Sequence, residues 1–122
     1  MCRKAGKENT FMTVKELAEC GKFRVINMGD NPEREITKPF CCDLLSIAMG
    51  KAPEGGAWVT VMGNMNTLAV ASLADVACVI MAEGAVLDEV AAGKAKQQEI
   101  TVLATEEPIF EAALAIHEMI HG

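Results

Sequence analysis

From residue 57 onward, short runs of Val, Ile, Leu, Met and Ala alternate with segments of helical length. Residues 57–62 (AWVTVM), 78–82 (CVIMA) and 100–104 (ITVLA) are apolar at nearly every position. A half-exposed strand would alternate with polar residues, so these strands must be covered on both faces. Each is followed by a helix-length segment, at residues 67–77, 88–98 and 109–120. Strand–helix alternation of this kind implies βαβ units, and right-handed crossovers place helices on both sides of the sheet. The sequence therefore predicts an α/β fold, a three-layer α/β/α arrangement with a mainly parallel sheet of about four to five strands.

The first half is less regular. Residues 1–10 are expected to be a disordered tail, and residues 11–122 a single domain, since 122 residues hold one core and no more. Thr13 and Glu16 have capping-box spacing ahead of Val14, Leu17 and Ala18, and Gly21 closes that helix. Residues 22–28 alternate as a first strand, and Gly29-Asp30-Asn31-Pro32 is a turn. Ile36 and Thr37 suggest a short strand, which Pro39 confines to an edge or an end. Asp43 reads as a helix start, followed by a broad apolar face of Leu44, Leu45, Ile47, Ala48 and Met49. Residues 67–77 are so apolar that the helix is expected to be sandwiched in the interior. Residues 88–98 read as a polar surface helix, and Pro108 as the first residue of the last helix.

Charge and cysteine usage narrow the partners. The formal net charge is −6, which repels phosphate backbones and anionic lipid heads, so neither nucleic acid nor membrane is an expected partner. Residues 55–74 carry no charge, but Asn64 and Asn66 in their middle would be costly in lipid. Cys2, Cys20, Cys41, Cys42 and Cys78 are odd in number and include no C-x-x-C pair. They read as reduced, mostly buried thiols of a cytoplasmic protein.

The chemical motifs are incomplete. His117-Glu118-Met119-Ile120-His121 matches H-E-x-x-H, in which two histidines one turn apart hold zinc. A third ligand is missing, and His121 falls in the last turn. Both histidines also suit a helix C-terminus, and His117 reads as partly packed on the apolar stripe. No P-loop, dinucleotide-binding glycine motif or serine-hydrolase elbow is present, and no catalytic set, metal site or cofactor is expected. The best candidate site is the turn Gly63-Asn64-Met65-Asn66-Thr67, at the carboxyl end of the strongest strand, where open parallel sheets gather ligands. Gly63 permits close backbone approach, Asn64 and Asn66 offer donors and acceptors, and free N–H groups there suit an anion or a polar ligand. The same residues also serve simple helix capping, with an asparagine and Thr67 as caps. Glu83, Gly84, Thr105, Glu106 and Glu107 are expected at the same edge.

Four stretches carry a likeness to a known family. Arg34-Glu35-Ile36-Thr37, Asp43-Leu44-Leu45, Ala57-Trp58-Val59-Thr60 and Val70-Ala71-Ser72-Leu73-Ala74-Asp75-Val76-Ala77 together resemble stand-alone DRTGG-domain proteins. The resemblance runs over nearly the whole chain. It implies an α/β fold similar to the N-terminal domain of HPr kinase/phosphorylase and to the first domain of certain Mur ligases. In that wider group the domain is accessory, found also beside CBS pairs in regulated pyrophosphatases and in some phosphate acetyltransferases. Its usual roles are dimerisation and regulation. Where the family commonly has Gly-Asp-Arg, this chain has Cys42-Asp43-Leu44. Where Thr-Gly-Gly is common, it has Thr60-Val61-Met62-Gly63-Asn64. Asp43 and Thr60 survive, while the arginine and the glycine pair do not, which weakens the case for an anion site. The expected function is a non-catalytic regulatory or protein-interaction domain acting as a homodimer. The alternative is a sensor that binds a nucleotide-like ligand at the 63–67 turn, through Gly63, Asn64, Asn66 and Thr67 with Asp43 and Thr60 nearby.

Overall fold

A computed structural model describes residues 12–121 of the chain. The expected tail at residues 1–10 lies outside them, as does Cys2. A five-stranded sheet forms the middle layer, with strand order β2-β7-β6-β5-β4. Strands β4 (Pro39–Cys41), β5 (Ala57–Thr60), β6 (Cys78–Met81) and β7 (Val102–Ala104) run parallel, and β2 (Arg24–Asn27) is antiparallel to β7 at one edge. Two very short strands, β1 (Met12–Thr13) and β3 (Glu35–Ile36), form a separate antiparallel ribbon. The helices are α1 (Val14–Ala18), α2 (Leu45–Lys51), α3 (Met65–Ala74), α4 (Glu89–Gln98) and α5 (Ile109–His121).

The two-residue period of the strands divides the interior into two cores. Ala57, Val59, Cys78, Ile80, Ala82 and Leu103 point to one face, where Val14 and Leu17 of α1 and Ala112, Ala113, Ile116 and Ile120 of α5 cover them. Trp58, Val79, Met81, Val102 and Ala104 point to the other, under Ala48 of α2, Leu68 and Ala71 of α3 and Ala91 and Ala95 of α4. Every residue of β5, β6 and β7 is buried. The continuous apolar runs follow from this double coverage. Alanines on α3, α4 and α5 let these helices sit close to the sheet. The Trp58 indole Nε1–H donates to the Cys42 carbonyl at 2.9 Å and so ties the end of β4 to β5.

Local chemistry sets the boundaries. Thr13 Oγ1 accepts from the Glu16 N–H, and a Glu16 carboxylate oxygen accepts from the Thr13 N–H, so the expected capping box forms. Asp88 Oδ1 caps α4 through the Ala91 N–H. The Pro108 carbonyl accepts from Ala112, which puts Pro108 just ahead of α5 instead of inside it. Pro39 opens the edge strand β4, where its missing N–H costs no ladder bond on the outer side.

Several expectations need correction. Asp43 does not start α2: Leu44 holds the cap position without a side-chain cap, because the Asp43 carboxylate is engaged across the strand ends. The apolar face foreseen on α2 buries only Ala48, whereas Leu44, Ile47 and Met49 are 58%, 47% and 54% exposed. Helix α3 is not sandwiched. It begins two residues earlier than expected and ends at Ala74, where Asp75 turns left-handed at φ 59°. Thr67, Leu68, Val70 and Ala71 face the sheet, while Met65 and Leu73 remain exposed. A three-layer fold gives each helix one sheet to cover, so an all-round apolar helix is left with a bare outer side. Among the described residues no helix is long and apolar enough to cross a membrane.

Cys78 lies at the centre of the sheet with no solvent exposure, and burial pushes its thiol up from the ordinary 9.0 to about 12. The unfolded chain releases this proton near the ordinary value, while the folded chain keeps it. The folded state therefore binds more protons between about pH 9 and 12, and stability must fall as pH rises through that window. The slope from this one group is roughly 1.4 kcal/mol per pH unit. Urea unfolding of wild type and Cys78→Ala at pH 8 to 10.5 is expected to give the variant the shallower alkaline loss.

Candidate functional site

The carboxyl ends of the parallel strands define one edge of the molecule, and the loops that leave them are cross-linked by hydrogen bonds. At the β4–β5 corner, Asp43 Oδ1 accepts from the Thr60 hydroxyl at 2.6 Å and from the Val61 N–H at 3.0 Å. Thr60 is fully buried, and its Oγ1 also accepts from the Met62 N–H at 3.2 Å. Asp43 and Thr60 thus meet across the ends of β4 and β5. They form a structural latch in which a carboxylate holds a buried hydroxyl and the first N–H past the strand.

The 63–67 turn is occupied by its own chain. Asn64 Oδ1 accepts from the Asn66 and Thr67 N–H groups at 2.9 and 3.2 Å, which is N-capping of α3. Gly63 does permit close backbone approach, and what approaches is residues 86–87. A Cβ on Gly63 would lie 2.3 Å from the Val86 carbonyl oxygen, and the Gly63 carbonyl accepts from Asp88. Asn66 is exposed. Thr67 Oγ1 is fully buried and finds no hydrogen-bond partner among the described residues.

Further along the edge, the expected company of Glu83, Gly84, Thr105, Glu106 and Glu107 assembles. Glu83 N–H donates to the Glu107 carbonyl and Gly84 N–H to the Thr105 carbonyl, while a Glu83 carboxylate oxygen accepts from the Ile109 N–H at the head of α5. The Glu106 side chain folds over Gly84, whose missing Cβ would lie 2.6 Å from a Glu106 carboxylate oxygen. Past this junction the edge opens into a groove of about 680 Å³ between the start of β2, the exit of β7 and the first turns of α5. Sequence reading missed it, because its walls come from segments at opposite ends of the chain. The visible trace was a set of small residues, Gly21, Ala104, Ala112 and Ala115, which leave the space unfilled.

The remaining reactive groups stay apart. The rings of His117 and His121 lie 4.3 Å apart and tilted by 47° on an exposed side of α5, so His117 is not packed on the apolar stripe. Among the described residues no three His, Cys, Asp or Glu side chains gather to hold a metal ion. Cys78 is buried as expected, but Cys41 is exposed. Desolvation first, then the Asp43 charge and Cys42, raises the Cys41 thiol and makes it a poor nucleophile at neutral pH. No known family model matches the chain, and no curated protein matches it.

The latch gives a direct test. Asp43→Ala leaves the buried Thr60 hydroxyl without its acceptor and is expected to cost about 1–2 kcal/mol in chemical denaturation. Once Thr60→Val has removed the hydroxyl, the added cost of Asp43→Ala should fall clearly below its cost in wild type. Strict additivity across that double-mutant cycle would show the bond to be energetically idle.

Proposed function

We propose that this chain is a DRTGG-like accessory domain, a non-catalytic regulatory or interaction module that works as a homodimer in the cytoplasm. The observation that carries this reading is the exposed apolar surface on α2 and its neighbour. Leu44, Ile47 and Met49 sit on or beside α2, Met65 and Leu73 on α3, and Val61 just past β5 at the latch; all are more than a third exposed. Helices α2 and α3 pack side by side. Large apolar side chains grouped in this way mark a surface that is covered when the protein works. Two-fold association is the commonest way for a small domain to cover its own patch.

The rest of the molecule agrees with a binding role. The latch and the cap use their polar groups to fix loops, which leaves them already committed. The thiols of Cys41 and Cys78 are both raised, desolvation being the largest cause, so neither is an activated nucleophile.

Light scattering behind gel filtration tests the proposal. At tens of micromolar the expected mass is twice the 13.0 kDa of one chain. Leu44→Glu with Ile47→Glu, at two exposed positions, should return a folded monomer with unchanged circular dichroism. A wild-type protein that stays monomeric at that concentration would overturn the dimer.

A further inference from the structure

We propose that the groove at the β2–β7–α5 corner binds a small zwitterion with an apolar body, an apolar α-amino acid or a dipeptide. It lies on elements other than α2 and α3, so it stands or falls separately from dimerisation.

Three features of the groove select this chemistry. The first is space: about 680 Å³ lies within the range of small-molecule pockets. It persists because the floor is built from Ala104, Ala112 and Ala115 beside the ring of Phe23. Ala104, Ala112 and Phe23 belong to the buried core, so packed apolar side chains back the floor. The second is the division of charge. Lys22 and Arg24 come from the β2 side, and Glu107 and Glu111 from the β7 exit and the first turn of α5. A ligand carboxylate finds cations on one wall, and a ligand ammonium finds carboxylates on the other. Simple anions such as nucleotides would meet the acidic wall, and simple cations the basic one. A molecule bearing both charges satisfies both.

The third feature is a weak closure that a ligand can replace. Arg24 Nη1 and a Glu106 carboxylate oxygen lie 3.8 Å apart across the mouth, with side chains 62% and 80% exposed. A long, solvated pair of this kind contributes little to stability, so exchanging it for a ligand carboxylate costs little. Glu106 lies over Gly84, where a Cβ would come within 2.6 Å of its carboxylate.

The test uses the full-length, ¹⁵N-labelled chain. Amide shifts are followed in titrations with L-leucine and glycyl-L-leucine, and with N-acetyl-leucinamide, which keeps the apolar body and lacks both charges. Saturable shifts confined to residues 21–24, 104–107 and 111–115 are expected with one or both zwitterions at millimolar concentration. The blocked compound should bind at least about tenfold more weakly. Whichever zwitterion saturates first distinguishes a free amino acid from a peptide as the source. Arg24→Glu and Lys22→Glu, both at exposed positions, should each weaken binding while the spectrum stays folded, and Ala115→Phe should abolish it by filling the floor. No saturable shift with either zwitterion, equal binding of the blocked compound, or shifts centred on residues 63–67 would each overturn the proposal. Should Ala115→Phe fail to fold, the two charge reversals still decide the matter.

Discussion

The parallel ladder from β4 to β7 is the constraint on which the molecule depends. Its inner strands lose water on both faces at once, so each must supply apolar side chains upward and downward, and each needs a helix on either side. Trp58 and Val59, adjacent in sequence, lie in different cores. The strands are only three or four residues long, so little of the chain is spent in the sheet. The loops at the carboxyl edge fall close enough together to bond to one another. The latch at Asp43 and the exchange between Glu83 and Glu107 are both such bonds between neighbouring strand exits.

That ladder was also the most legible part of the sequence. The runs at residues 57–62, 78–82 and 100–104 located β5, β6 and β7 to within two residues, because burial on both faces leaves almost no polar position to confuse the pattern. The capping box at Thr13 was equally clear, since its two bonds join residues only three apart. Apolarity misled where it was taken to mean burial. Leu44, Ile47, Met49 and Leu73 are as apolar as any core residue, yet the fold offers them no sheet to cover. Whether an apolar helix face is buried or bare depends on how many layers the domain has, which no local pattern encodes.

The carboxyl edge of the sheet was legible in the sequence, and what its residues do there was not. An open parallel sheet points to its carboxyl edge, and Asp43, Thr60, Glu83 and Thr105 all gather there. What each does depends on the partner it meets across the chain. Asp43 looks like a helix cap when only its neighbours are known and turns out to hold a hydroxyl 17 positions away. Gly63 reads as a place of close backbone approach, and the backbone of residues 86–87 is what approaches it. The groove lay furthest from view, because a hollow is defined by the side chains that are missing from it.

Both borders of the central sheet are shaped to refuse a further strand. At one, Pro39 begins β4 without an N–H to offer. At the other, β2 carries exposed Val25 and Ile26, a hazardous pair on an open border, but its register with β7 slips between Val25 and Asn27. Such a slip bends the strand and disrupts the straight row of donors and acceptors that an incoming strand would need. Edge-to-edge growth of the sheet into open-ended fibres is thereby discouraged at both borders.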